Sequence, residues 1–204
     1  MTVASSTRLS RSDLVDLWTI IVVASVVAAF TIGFAITRLA GILPNSGVEV
    51  LVPFADTTAQ APIGPGGSMV PVEIDQAVLT VSGLPTVVVV LLCLAVAIDA
   101  LTVLAIVACL GILCRNLMRG RAFSRTNTRL AVTTSIVLVA GTAIGGLFQT
   151  IGINGAFATV SDYGYENMTV TGSLVPYFAA IGLAAVALAF KAGERLQRET
   201  DGLV

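Results

Sequence analysis

Histidine is absent from the 204-residue sequence, and lysine occurs once, at Lys191. These absences exclude histidine-ligated haem or zinc, histidine acid–base catalysis and a lysine Schiff base within a membrane. Charged residues are scarce at 11%, where a soluble domain carries about a quarter, and 56% of the residues are hydrophobic. The composition therefore excludes an ordinary soluble domain and predicts an integral membrane protein.

Cysteine is also rare, and Cys93, Cys109 and Cys114 all fall in one apolar stretch. None lies in a segment that we predict to be outside the cell, so no structural disulfide is expected. The sequence shows no nucleophile and base at a plausible depth and no ligand set for a metal. We therefore expect a protein that is not an enzyme and that holds no cofactor.

Four apolar runs have the length of membrane-spanning helices, since about 20 residues cross the hydrocarbon of a bilayer. Asp99 is the one charged residue inside the second run. Gly152, Asn154 and Gly155 predict that the third helix ends near Thr150. The predicted spans are residues 18–40, 86–114, 130–150 and 173–190.

The basic residues are sorted by segment, which predicts the orientation of the spans. Residues 41–85 and 151–172 hold no basic residue, whereas the connection between spans two and three holds five arginines and no acid. By the positive-inside rule, both termini and this basic loop are cytoplasmic. Binding of anionic lipid or nucleic acid is the alternative interpretation of the basic loop, but topology alone accounts for its arginines, so no direct binding of nucleic acid is expected. The predicted cytoplasmic segments are residues 1–17, 115–129 and 191–204.

A cleavable signal peptide is the alternative interpretation of the first run, because Arg8 and Arg11 precede it. Its apolar part is longer than the 7–15 residues or so that are typical of such a peptide. This length favours a permanent first span.

The first extracytoplasmic connection is rich in β-branched residues with partial alternation, at residues 48–54 and 70–81. Residues 61–68 have the composition of a flexible turn, so two strands joined by a loop are predicted. Residues 157–171 predict a further strand that pairs with the first connection, because an isolated hairpin is marginal in water. A disordered acidic loop is the alternative. The predicted fold is an all-α membrane protein with four antiparallel transmembrane helices and a small extracytoplasmic β-rich cap.

Small residues recur at every fourth position in three of the runs, which lets helices approach closely in lipid. They indicate either packing among the chain's own helices or a dimer face, so a homodimer is one alternative. These residues are Gly33, Thr37 and Gly41 in the first run, Gly141 and Gly145 in the third, and Ala185, Ala189 and Gly193 in the fourth.

Asp99 stands out among the polar residues, because an ionisable group inside a span is costly and usually faces protein or water. Counting about 20 residues outward from the inner boundaries places Arg38 at the outer boundary and Asp99 about 8 Å below it, which makes a pair between the two geometrically possible, and we take this pair as a hypothesis. Gln149 and Tyr177 reach the same layer, which predicts an intramembrane polar cluster of four residues. A structural pair, a ligand or proton site and a contact with a partner protein remain the three interpretations of Asp99.

Two cytoplasmic segments carry the strongest local signatures. In the basic loop, Gly120 is placed to end the second helix, Ser124 to cap the third, and Phe123 to pack between them. Both this loop and the tail from Gly193 resemble the bacterial four-span membrane family called domain of unknown function 2975. Its members show a Gly-x-x-Phe-Ser-x-x-Asn segment between spans two and three and a Gly-x-x-Leu-x-x-Glu type of tail. The matching positions are Gly120, Phe123, Ser124, Asn127, Gly193, Leu196 and Glu199.

The resemblance implies no established activity and no catalytic residue, but members of the family are often encoded beside a short helix-turn-helix regulator. The tail acids Glu194, Glu199 and Asp201 are placed to meet arginines of the loop in exposed pairs, worth about 0–1 kcal/mol each. The predicted docking surface for a cytoplasmic partner comprises Arg119, Gly120, Arg121, Phe123, Ser124, Asn127, Gly193, Leu196 and Glu199.

These observations predict a non-enzymatic sensor of a bacterial inner membrane that docks a cytoplasmic regulator. An accessory subunit of a larger membrane complex is one alternative, and a small transporter or channel is another. Transport is disfavoured because the sequence shows no inverted repeat and no pair of broken helices. The expected partners are the lipid bilayer and either the regulator or the larger complex.

Overall fold

The computed structural model describes residues 10–54, 57–120, 123–162, 164 and 172–201, and within them the chain is mostly helical. Four long helices are accompanied by four short strands, all of which lie between the first two helices. The helices are α1 (Arg11–Ile42), α2 (Thr86–Met118), α3 (Arg125–Val160) and α4 (Val175–Asp201). The strands are β1 (Val48–Pro53), β2 (Thr58–Ala61), β3 (Val70–Glu73) and β4 (Gln76–Val81).

The four helices are long and apolar enough to cross a membrane, which confirms the four apolar helices predicted from the sequence. The third is longer than predicted, because α3 continues to Val160 and the predicted end near Thr150 is wrong. Gly152 and Gly155 do not end this helix. An added Cβ at Gly152 would overlap the side chain of Leu92, and one at Gly155 would overlap the side chain of Val88. These glycines therefore allow α3 to lie close against α2.

The chain forms two compact units. We call the first the hairpin unit (residues 1–34, 99–143 and 173–204) and the second the strand unit (residues 35–98 and 144–172).

The strands of the strand unit form two antiparallel pairs. Strand β1 pairs with β4, with Val48 opposite Val81, and β2 pairs with β3, with Thr58 opposite Glu73. Because β2 and β3 lie between β1 and β4 in the sequence, the inner pair is nested within the outer pair. The predicted strand over residues 70–81 is thus divided into β3 and β4, and the predicted turn over residues 61–68 contains the end of β2 and a single 3₁₀ turn.

The core of the strand unit lies under the inward face of β1. Val48, Val50 and Val52 are each at most 3% exposed, as the alternation along this strand predicts. They cluster with apolar residues of β4, α2 and α3, so β1 and β4 are anchored on helices rather than standing alone in solvent. The other buried members of this cluster are Ile42, Val81, Leu84, Val88, Leu92, Ile153 and Ala156.

The last turns of α3 contact the residue after β1 through an aromatic pair. The rings of Phe54 and Phe157 meet edge to face, with centroids 5.5 Å apart and planes at 67°. Phe157 itself is helical, so the strand predicted over residues 157–171 is wrong in its first four residues. Positions 163 and 165–171 lie outside the described residues. The sequence predicts that residues 41–85 and 151–172 associate through paired strands. Within the described residues, they meet through side chains, among them the aromatic pair, and not through a strand pairing.

Asn45 joins the segment before β1 to the segment after β4. Its side-chain Nδ2 donates a hydrogen bond to the Leu84 carbonyl at 2.9 Å, and its Oδ1 accepts one from the Leu84 N–H at 2.8 Å. The backbone of Asn45 has a φ of 51°, in the left-handed region that asparagine tolerates better than most residues. This residue thereby links the end of α1 to the start of α2 across the base of the strands.

Candidate functional site

The tight turn between α2 and α3 has the two helix ends predicted from the sequence. Gly120 has a φ of 71° and its N–H donates to the Leu117 carbonyl at 2.9 Å, which ends α2. Ser124 caps α3, because its Oγ accepts a hydrogen bond from the Asn127 N–H at 3.3 Å.

A buried asparagine pair joins the two helices of this hairpin. Asn116 Nδ2 donates to Asn127 Oδ1 at 2.8 Å, and Asn127 is 0% exposed. A buried amide needs partners because an unpaired polar group in an apolar setting costs free energy. Asn127 therefore helps to hold the hairpin closed. Asn116 is not among the residues predicted from the sequence, where its only signal is that it is the single amide of α2 and lies beside Arg115 near the end of that helix.

Phe123 packs against α4. Its ring meets that of Phe190 edge to face, with centroids 6.4 Å apart and planes at 70°. It also lies directly over Gly193, where an added Cβ would overlap the ring. The predicted placement of Phe123 between α2 and α3 is thus corrected: this side chain attaches the turn to α4, and the glycine of the tail signature provides the space.

An ion pair adds a second link between the turn and α4. Arg125 Nε lies 3.2 Å from Glu194 Oε1, and the two side chains are 70% and 16% exposed. This is one of the pairs between loop and tail that the sequence predicted. Glu199 instead pairs with Arg195 on its own helix, at 3.4 Å from Nε to Oε1.

We call the set Asn116, Phe123, Ser124, Arg125, Asn127, Phe190, Gly193 and Glu194 the junction, since it connects the turn to α4 within the hairpin unit. Of the predicted docking residues, Phe123, Ser124, Asn127 and Gly193 belong to it. Arg119, Gly120, Leu196 and Glu199 are exposed around it. Arg121 lies outside the described residues.

The predicted intramembrane cluster is divided between the two units. Arg38 and Gln149 belong to the strand unit, and Asp99 and Tyr177 to the hairpin unit. Arg38 Nη1 donates to the Glu49 carbonyl at 3.5 Å, so its described contact is with β1. Asp99 and Gln149 are exposed, and Tyr177 is half-buried. The pairing of Arg38 with Asp99 stays a prediction from the sequence.

The small residues divide between packing and open faces. Gly141 lies against Thr102 of α2 and Gly193 against Phe123, so both serve packing within the chain. An added Cβ at Gly33 or Gly41 would meet no atom within 4 Å. Close packing within the chain therefore accounts for Gly141 and Gly193, whereas the surface of α1 at Gly33 and Gly41 has room for a larger side chain.

No group of three or more residues suited to hold a metal ion occurs in the described part of the chain. No family model, no curated protein and no solved structure matches the sequence. Within the described residues, the junction brings together a buried amide pair, a serine cap, an aromatic pair and an ion pair.

Proposed function

We propose that this chain is a non-enzymatic four-span protein of a bacterial inner membrane that docks a cytoplasmic regulator at the surface around the junction. The observation that carries the proposal is the attachment of the α2–α3 turn to α4 through Phe123 and Gly193. Helix α4 is continuous from Val175 to Asp201, so its apolar part and its charged end form one element. The junction is thereby attached to a helix that is long and apolar enough to cross a membrane.

Membrane insertion with antiparallel neighbouring helices is supported by hydropathy and by the order of contacts. Four helices carry apolar windows long enough to span the bilayer. Along α3, Gly141, Gly152 and Gly155 lie against progressively earlier residues of α2, namely Thr102, Leu92 and Val88. Contacts that run in opposite sequence directions are those of two antiparallel helices. By the positive-inside rule, the arginines around the turn then indicate that the junction lies on the cytoplasmic side of the membrane.

The surface around the junction combines positive charge with exposed apolar side chains. Arg119 and Arg125 are exposed, and Phe123 and Leu196 are 49% and 59% exposed. Leu196 follows Gly193 by three residues and so falls on a similar side of α4. An acidic amphipathic segment of a small regulator complements such a surface in charge and in apolar contact.

Membership of the family called domain of unknown function 2975 is part of this proposal. It is supported by the roles that the matching positions have in the chain. Gly120 supplies the positive φ, Ser124 the cap, Asn127 the buried amide and Gly193 the space under Phe123. Both sequence signatures thereby describe a single junction, which gives a physical reason for their occurrence together.

Copurification at native expression level tests the docking surface. The variant Arg119→Gln/Leu196→Ser changes two exposed residues beside the junction, and Arg11→Gln/Leu14→Ser is a matched control at the other cytoplasmic segment. We expect the wild type and the control to retain a stoichiometric small cytoplasmic protein in mild detergent. The junction variant should retain about tenfold less, a loss of 1.4 kcal/mol or so in binding. Equal losses in both variants, or no companion for the wild type, would contradict the proposal.

Cysteine labelling tests the orientation. With Cys93, Cys109 and Cys114 replaced by alanine, a single cysteine at exposed Ser68 should react with a membrane-impermeant maleimide in intact cells. A single cysteine at exposed Thr126 should react only after the membrane is opened. The reverse pattern would overturn the orientation.

An accessory subunit of a larger membrane complex is a second candidate, and the exposed surface of α1 favours it. None of the residues in the most apolar window of α1 is buried within the chain, and Phe30 and Phe34 are 78% and 67% exposed. Lipid covers such a face in a free protein, whereas other subunits cover it in a complex. Migration with large membrane subunits in a native gel, lost with Gly33→Leu and retained with Gly182→Leu, would favour the subunit.

A further inference from the structure

A groove of about 630 Å³ lies between α3 and α4 in the hairpin unit. Arg125, Arg129, Lys191 and Glu194 line it at the end beside the junction. The walls further along the two helices are mostly apolar, and the one polar side chain there, Ser135, donates its hydroxyl to the Ala180 carbonyl at 2.8 Å. The apolar wall residues are Val132, Ile136, Ala184, Ala187 and Leu188.

The polar end of the groove carries an excess of positive charge. The ion pair between Arg125 and Glu194 balances one cation with the single acid. Arg129 and Lys191 are exposed, and neither forms an ion pair within the described residues. Two cations therefore remain available to an anion at this end.

The groove changes from cationic to apolar along a short distance. Arg129 and Ile136 are separated by seven positions, which is about 10 Å along a helix. Helix α4 shows the same change: Lys191 lies at the cationic end of the groove, and Leu188 and Ala184, which precede it in the sequence, lie in the apolar part. This change coincides with the inner boundaries of the predicted third and fourth spans, at residues 130 and 190. The polarity of the groove thus matches the passage from headgroup to acyl chain at the cytoplasmic surface of a bilayer.

We propose that this groove binds an anionic phospholipid of the cytoplasmic leaflet. Its phosphate lies at Arg129 and Lys191, and one acyl chain follows Val132, Ile136 and Leu188. The two cations recognise the phosphate by charge, and the apolar walls select a lipid over a free phosphate. This site rests on the proposed function in one respect, since it requires α3 and α4 to cross the membrane with this end in the cytoplasm.

Lipid retention by the purified full-length protein tests the site. The protein is exchanged into micelles that contain equal amounts of phosphatidylglycerol and phosphatidylcholine, and the retained lipids are counted by native mass spectrometry. We expect phosphatidylglycerol to be preferred by the wild type. Arg129→Gln/Lys191→Gln should lower that preference about 25-fold, because each basic residue contributes about a factor of five at such a surface. Arg129→Lys/Lys191→Arg preserves the charges and should retain most of it.

The control Arg11→Gln/Arg115→Gln removes the same charge at positions that do not line the groove. An equal loss in this control, or no preference for phosphatidylglycerol in the wild type, would overturn the site. Displacement of the lipid by inorganic phosphate at equal concentration would show an anion site without an acyl chain and would also overturn it.

Extraction separates this result from failure of the proposed function. A protein that resists alkaline carbonate and retains its regulator, but does not prefer phosphatidylglycerol, loses only the lipid site. A protein that carbonate removes from the membrane overturns the proposed function itself. Melting temperatures in phosphatidylcholine verify that each variant is folded before its lipids are counted.

Discussion

The ring of Phe123 occupies the space that a side chain at Gly193 would need. Phe123 belongs to the turn between α2 and α3, and Gly193 belongs to α4, 70 positions later in the sequence. The contact therefore closes a long loop of chain within the hairpin unit. It also places the charged end of α4 beside the arginines of the turn, where Arg125 meets Glu194.

Gly193→Ala should destabilise the protein. Forcing the Phe123 ring aside costs about 1–3 kcal/mol, which exceeds the gain of about 0.5–1 kcal/mol that alanine provides over glycine in a helix. Unfolding in mixed micelles with increasing denaturing detergent measures the change. Gly182→Ala is the matched control, because an added Cβ there meets no atom within 4 Å, and it should be neutral or stabilising. Equal effects of the two substitutions would contradict the packing of Phe123 on Gly193.

Asn127→Ala should destabilise the α2–α3 hairpin by about 1–3 kcal/mol, because it leaves the Asn116 amide without its acceptor. The same unfolding measurement applies. Thr126→Ala, at the exposed neighbouring position, should stay within about 0.5 kcal/mol of the wild type. In a double-mutant cycle, Asn116→Ala should cost less in the Asn127→Ala background than in the wild type. Strict additivity would argue against the hydrogen bond.

Arg125→Gln should cost at most about 1 kcal/mol, because the arginine is 70% exposed and solvent screens its pair with Glu194. The difference from the wild type should shrink as salt is raised from about 0.05 to about 0.5 M, since the Debye length shortens from about 14 Å to about 4 Å and the attraction between exposed charges is screened more strongly. Thermal unfolding in mild detergent at both salt concentrations measures it. A loss well above this value, or one insensitive to salt, would show that the pair is more than a surface link.

Substitutions of Asn45 should separate its two roles. Asn45→Gly keeps the positive φ but removes both hydrogen bonds to Leu84, at a cost of about 1–3 kcal/mol. Asn45→Ala should cost about 1–2 kcal/mol more, because alanine is strained at a φ of 51°. Ser46→Ala provides the exposed neighbouring control. Proteolysis between β2 and β3, followed over time, reports the opening of the strands. The reverse order of the glycine and alanine variants would contradict the conformational role.

Local patterns identified the helix ends at the turn correctly. Gly120 and Ser124 could be placed because a left-handed glycine and a serine cap act on their own neighbours, through hydrogen bonds within one helical turn. The β-branched residues with partial alternation at residues 48–54 likewise predicted a strand there, and β1 buries Val48, Val50 and Val52 on one face. In both cases the information needed for the prediction lies in the segment itself.

Distant contacts explain the predictions that were wrong. Gly152 and Gly155 were read as a helix end, but Leu92 and Val88 fill the space beside them and turn both glycines into packing positions. The sequence predicts Phe123 between the helices of its own hairpin, but its ring lies against Gly193 and Phe190 of α4. The strand over residues 70–81 was divided because β2 and β3 form their own pair within the outer one.

The sequence by itself determined the number of apolar helices, their approximate positions and the sorting of positive charge, because hydropathy and charge are summed over each segment without reference to its neighbours. Only the tertiary structure decided which glycines are packing sites, that Asn116 pairs with Asn127, and that Phe123 packs on Gly193 of α4. These features depend on which atoms meet across long separations in the chain, and such meetings are fixed by close packing rather than by local preference.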